Sequence, residues 1–167
     1  VMENTDSYET FMRFAQTLAD SGDPINYAAS AYNNHPLHVT EVLNDLVVPN
    51  KAMAGSASAT QDFVGISALL SGTDALARVM GFAATDKKEL DMASLAKSNA
   101  LGSTWVQFNQ GAHGSLLSPA HPKGDAATTD EKALFLSITT EMQCQTASFL
   151  ATSGAVVPVG CSLPVAP

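Results

Sequence analysis

Apolar and polar positions recur along the chain with two different periods. From Ser7 to Asp20, the apolar residues Tyr8, Phe11, Met12, Ala15, Leu18 and Ala19 return every three or four positions and leave Glu9, Arg13 and Gln16 to solvent. That spacing predicts a helix, capped by Asp6 or Ser7 and ended by Gly22. A turn at Gly22-Asp23-Pro24 and a short helix then lead to Asn33-Asn34-His35-Pro36. The stretch His38 to Pro49, HVTEVLNDLVVP, changes character. Val39, Val42 and Leu43 are apolar, Thr40 and Glu41 are polar, and the run is rich in β-branched residues. Its first half therefore predicts a strand, broken at Asn44-Asp45. A second strand is predicted from Trp105 to Phe108, ahead of a histidine bracketed by glycines, Gly111-Ala112-His113-Gly114.

Between the two strands the pattern is less regular. Ala52 to Thr60 is a run of small residues and reads as a loop. Phe63, Ile66, Leu69 and Leu70 predict a short helix closed by Gly72, and Thr73-Asp74 can cap another, Ala75 to Met80, ended by Gly81. Asp86 to Gly102 is polar, with only a weak helical pattern at Leu90, Ala93 and Leu95. Beyond the loop Ser118 to Asp130, Thr128 and Glu131 carry a capping-box signature for a last helix, Asp130 to Ala151. Leu134, Ile138, Met142 and Phe149 mark its buried stripe, and Gly154 stops it. No internal repeat, low-complexity tract or linker divides residues 1–167, which read as one portion of a single α/β domain. Two parallel strands with covering helices do not make a stable open sheet by themselves. The chain is therefore expected to be incomplete alone, to expose an apolar sheet edge and face, and to pair with further sequence or with a second copy of itself.

Composition narrows the class. The chain has 167 residues, 46% hydrophobic, with a mean hydropathy of +0.08, which is a globular composition with enough length for one core. Its apolar runs are too short to cross a bilayer, and no basic segment followed by an apolar one marks a signal peptide. The formal charge of −8, from 16 acids against 8 bases, lacks the cationic field that a nucleic-acid partner requires. It suits a soluble, extracellular protein. The two cysteines are Cys144, in the last predicted helix, and Cys161, in a tail with Pro158, Pro164 and Pro167. A disulfide between them would staple the tail to the helix, worth about 3 kcal/mol; the alternative is two unrelated thiols.

The residues with candidate chemistry sit where strands end. Asp45 lies just past the first strand, where open α/β sheets place working residues. His113 follows the second. An acid after one strand and a histidine after the next is the Asp and His part of a Ser-His-Asp triad, in the chain order of α/β-hydrolases. Asp45 can equally be a turn residue that caps its own backbone. Glu41 and Asn44 compete with it, although Glu41 falls within the strand. His113 can be an ordinary loop histidine, and Ser115, close to it, has no strained elbow to make it a nucleophile. A zinc reading draws on His35, His38, His113 and His121, but Pro36 falls between the first two, so their rings diverge. The helices from Phe63 to Phe82 either pack on the sheet, line an acyl site or act as a lid.

Five stretches together resemble one family. They are SGDPINYA (Ser21 to Ala28), HVTEVLNDLVVPN (His38 to Asn50), LSGTDALARVMGF (Leu70 to Phe82), GAHGSLLSP (Gly111 to Pro119) and TTEMQCQTASFLATSG (Thr139 to Gly154). The combination is similar to the extracellular and surface-anchored bacterial lipases, the group that includes the Vibrio surface lysophospholipase. The resemblance implies an α/β-hydrolase fold, cleavage of carboxylic esters of lipids or lysophospholipids, no cofactor or metal, and a location outside the cell or on the bacterial outer-membrane surface. It matches Asp45 to the triad acid and His113 to the triad base, while Asp23 and Asn26 fall in a matching motif without a derivable chemical role. The family's nucleophile lies in an upstream Gly-x-Ser-x-Gly elbow, which this sequence lacks: at Gly65-Ile66-Ser67, the second glycine is replaced by Leu69. The chain is thus expected to be the C-terminal portion of the domain, inactive alone, with its nucleophile and oxyanion hole supplied by the N-terminal part of the same protein. The competing expectation is a non-catalytic secreted binding or adhesion module.

Overall fold

The computed structural model describes residues 25–45, 47, 50 and 68–161, with the isolated positions 7, 10 and 14. The predicted helix at Ser7 to Asp20, the loop Ala52 to Thr60 and the residues from Phe63 to Ser67 lie outside the continuous described segments. The elements in chain order are helix α1 (Ile25–Asn34), strand β1 (His38–Val42), helix α2 (Ala68–Met80), strands β2 (Lys87–Leu90), β3 (Ser98–Leu101) and β4 (Thr104–Phe108), helix α3 (Thr129–Ala151) and strand β5 (Val156–Val159). Single turns of tighter helix occur at Ala84–Asp86 and Gly124–Ala126. Three strands form a parallel sheet in the order β1-β4-β2, and β3 pairs with β5 in an antiparallel ribbon.

Side chains on a strand alternate between faces, and here the two faces meet different helices. Val42, Val106, Phe108 and Leu90 point one way and pack against Phe135, Ile138 and Met142 of α3 and Val159 of β5. Trp105 points the other way, onto Ala77 of α2 and Phe82, with Tyr32 of α1, Val39 and Met80 around them. Helices α1 and α2 pack on one another on this second side. All five residues of β4 are buried, as a central strand covered on both faces requires. Burying Val106 and Phe108 to about 1% exposure or less contributes roughly 2 kcal/mol each. Among the described residues both faces of the central strand are therefore covered, where the sequence predicts an exposed apolar face. The edge strands β1 and β2 pair only with β4 among the described residues.

The architecture is α/β, with a small, mostly parallel sheet, but its strand count exceeds the two predicted. The stretch that reads as polar and irregular holds β2 and β3. Lys88 and Glu89 are polar because β2 is an edge, Lys87 faces acids of other elements, and of the four residues only Leu90 is buried. In β5, Pro158 stands opposite Asn99 on an edge, where its missing N–H costs no ladder bond in a wider sheet. Gly72 does not close a helix: α2 runs through it. Helix α3 starts as predicted, with Thr128 Oγ1 accepting from the Glu131 amide at 3.2 Å and Glu131 Oε2 accepting from the Thr128 amide at 2.8 Å. It ends through Ser153 and Gly154 at positive φ, 53° and 83°. A side chain at Gly154 would run into Pro36. A disulfide joins Cys144 to Cys161 with Cα atoms 6.1 Å apart. No described helix is long and apolar enough to cross a membrane.

Candidate functional site

Parallel neighbours end together, so the pairing of β1 with β4 brings two distant loops to one rim of the sheet. Val42 stands opposite Phe108, and the Leu43 amide extends the ladder to the Phe108 carbonyl at 2.8 Å. Asp45 lies three residues past the end of β1 and His113 five past the end of β4. Their side chains meet: His113 Nδ1 is 2.8 Å from Asp45 Oδ2. The carboxylate side chain keeps 9% of its exposure and the imidazole 49%. Asp45 also caps its own turn, with Oδ1 accepting from the Val47 amide at 2.8 Å and its amide reaching the Val42 carbonyl at 3.2 Å. The turn role and the histidine contact thus use different carboxylate oxygens. His113 Nε2 has no hydrogen-bond partner among the described residues, so the ring presents one engaged and one open nitrogen.

The histidine loop is built tightly. Gly111 adopts φ +130°, and a Cβ there would lie 3.3 to 3.4 Å from Ser115 Oγ, Ile138 and Val42, so only glycine suits the position. Gly114 has neither restriction. Ser115 is 1% exposed, and its hydroxyl accepts from the Ala112 amide at 2.9 Å while its own amide returns to the Ala112 carbonyl at 2.9 Å. Ser115 therefore clasps the turn that carries His113. No hydrogen bond joins it to the imidazole. From α3, Gln143 Nε2 donates to the Leu116 carbonyl at 3.1 Å and holds the far side of the loop.

Glu41 takes no part in the pair with His113. It points to the α2 side of the sheet, 5% exposed, where Trp105 Nε1 donates to Oε1 at 3.2 Å and Asn50 Nδ2 to Oε2 at 3.1 Å. Lys87 Nζ lies 3.2 Å from Glu41, 2.7 Å from Asp74 and 3.2 Å from Gln107 Oε1, over the Trp105 ring. Burial pushes the Glu41 carboxyl up; the Asn50 hydrogen bond opposes that rise and the Asp74 charge adds to it. For Lys87, burial works downward, but hydrogen bonds and charge from Asp74 and Glu41 outweigh it and hold the ammonium above its ordinary value. Sequence reasoning misses this cluster; the local hint is a carboxylate within a strand rich in β-branched residues.

The remaining candidates are elsewhere. His38 Nδ1 is 2.7 Å from Thr104 Oγ1 and Nε2 is 3.1 Å from Thr40 Oγ1, so both ring nitrogens are engaged. His35 is exposed, and His121 accepts from the Lys123 amide with its ring edge on Phe135. Among the described residues no group of three or more His, Cys, Asp or Glu side chains is placed to hold a metal ion. Phe82 belongs to the core beside Tyr32 and Trp105, which favours packing over an acyl site at that end of the segment. Asn26 is an exposed residue of α1, and Asp23 lies outside the described residues. A cavity of about 420 Å³ lined by Met92, Leu95, Leu136 and Thr140 involves neither Asp45 nor His113. Comparison of the chain with protein-family models, with curated proteins and with solved structures finds no match.

Proposed function

We propose that this chain carries the acid and the base of a serine carboxylic-ester hydrolase, as the C-terminal part of an α/β-hydrolase domain acting on lipid or lysophospholipid esters. The observation that carries the reading is the 2.8 Å contact between Asp45 Oδ2 and His113 Nδ1, with the second ring nitrogen open. A carboxylate on Nδ1 favours the tautomer with its proton on that atom, leaving Nε2 to accept one from a hydroxyl nucleophile. As the proton arrives, the Asp45 charge stabilises the imidazolium. Half exposure of His113 beside a nearly buried Asp45 suits those two roles: the base must be reached and the acid must be shielded.

The serine, on this proposal, comes from a Gly-x-Ser-x-Gly elbow outside these 167 residues, as does the oxyanion hole. The Cys144–Cys161 disulfide supports an oxidising location, outside the cell or on the bacterial outer-membrane surface. The N-terminal part of the same protein is the proposed macromolecular partner. The test is ester hydrolysis by the protein carrying this chain with its upstream sequence, on p-nitrophenyl butyrate and palmitate. Asp45→Asn and His113→Ala are each expected to lower kcat by roughly 10³-fold or more, and the 167-residue chain alone to show no turnover. Wild-type rates from both variants would overturn the proposal.

A further inference from the structure

The turn that aims Asp45 is held from an unexpected direction. Asn44, the residue before it, sits in the left-handed region at φ 61°, which asparagine adopts more readily than other non-glycine residues but which still needs contacts to fix it. Its amide donates to Asn50 Oδ1 at 2.9 Å. Asn50 is 8% exposed, and its carbonyl accepts from the Asp74 amide at 2.9 Å. Its side-chain nitrogen donates to Glu41 Oε2, and Glu41 is fixed in turn by Trp105 and Lys87 through its other oxygen. The orientation of the Asn50 amide follows from its partners, since the Asn44 N–H can only donate and a carboxylate oxygen accepts.

We infer that Glu41 and Asn50 are positioning residues for Asp45: they lock the turn from the α2 side of the sheet so that its carboxylate faces His113. The inference rests on the acid–base reading of that pair. An amide is the group that fits between a backbone donor and a buried carboxylate, because it offers an acceptor to one and a donor to the other. A carboxylate in place of the Asn50 amide would keep the acceptor for Asn44 but set two carboxylates against one another. Exchanging both members, Glu41→Gln with Asn50→Asp, reverses donor and acceptor and conserves the charge. The carbonyl oxygen of the amide introduced in strand β1 then serves Trp105 and Lys87, and its nitrogen donates to the carboxylate introduced in the turn.

The readout is the tautomer of neutral His113, taken from the two ring-nitrogen shifts of the 15N-labelled 167-residue chain at alkaline pH. Asp45 on Nδ1 holds the Nδ1–H form, whereas an imidazole free in water prefers Nε2–H. The wild type is expected to be mainly Nδ1–H. Asn50→Asp is expected to move the ratio about fivefold toward Nε2–H, the effect of losing one net hydrogen bond, and the double exchange to return it to within about twofold of wild type. If Asn50→Asp does not fold, Glu41→Gln alone, which sets an amide donor against Asn50, Trp105 or Lys87, is read in its place by the same ratio. An unchanged ratio in the single variant overturns the inference even if its thermal midpoint drops, since that marks a merely structural role. A double exchange that stays at the single variant's ratio also overturns it. A wild-type chain already in the Nε2–H form sinks the acid–base reading itself, which keeps the two failures distinct.

Discussion

The C-terminal strand is fastened twice, and the two fastenings should be thermodynamically coupled. Glu141, 2% exposed in the middle of α3, accepts from the Gly160 amide at 2.8 Å and Gln145 Nε2 at 2.6 Å on Oε1, and from the Cys161 amide at 2.7 Å on Oε2. The Cys144–Cys161 bond closes a loop over a separation of 17 residues beside it. Loop closure of that length is worth about 3 kcal/mol. In Glu141→Gln the remaining oxygen serves the two donors at Oε1, and an NH₂ group then opposes the Cys161 N–H. One orphaned amide costs roughly 1–3 kcal/mol, and the loss of charge assistance on the other two bonds adds about 1 kcal/mol. The expected total is about 2–4 kcal/mol in the oxidised chain, measured as a shift of urea midpoint at constant slope. With the thiols removed by Cys144→Ser and Cys161→Ser, residues 160 and 161 are free to fray, and the same Glu141→Gln change should cost less than about 1 kcal/mol. A cost under about 0.5 kcal/mol in the oxidised chain, or an equal cost in both backgrounds, would refute the reasoning.

Three further outcomes follow from named contacts. Burial lowers His38 from 6.5 to about 4, so stability is fully present above pH 6.5 and falls as pH drops toward 4, where the unfolded chain binds a proton that the folded chain excludes. At about 1.4 kcal/mol per unit the loss is at most about 3.5 kcal/mol, and about half that for a partly solvated ring; denaturation across this range should show a steeper pH slope for wild type than for His38→Gln, and equal slopes would discard the idea. Gly111→Ala, at φ +130° with neighbours at 3.3 to 3.4 Å, should cost about 1–3 kcal/mol in thermal melts, and an unchanged midpoint would count against the tight loop. Ser115→Ala leaves the Ala112 amide without its 2.9 Å acceptor and should cost about 1–2 kcal/mol, with faster hydrogen exchange at Ala112 as the specific sign; unaltered protection there would exclude the clasp.

Legibility in the sequence tracks how local the cause is. Helix α3 announces itself because its capping box and apolar stripe are set within a few residues of one another. Strands β1 and β4 are also legible: β1 by its β-branched run, β4 by an apolar segment that ends in a glycine-flanked loop. Strand β2 is not, because Lys87 faces Asp74 and Glu41, acids that come from other elements, and nothing within KKEL reports them. Gly72 reads as a helix stop, yet α2 continues through it; a glycine weakens a helix by about 1 kcal/mol, which packing elsewhere along that helix can offset. The disulfide is also legible, because a tail holding Pro158, Pro164 and Pro167 has little else to fix it to the last helix, and Cys144 and Cys161 are joined.

Sequence alone singled out the two loops that hold Asp45 and His113, since an acid after one strand and a histidine after another are recognisable from local pattern. It did not determine that these loops meet. That depended on β4 lying between β1 and β2 in the sheet, a choice among strand pairings made by burying both faces of the central strand at once. The hydrogen-bonding groups of a backbone are the same in every strand, so a ladder carries no address of its own. Only the packing of α3 on one face and of α1 and α2 on the other selects the order that brings Asp45 against His113.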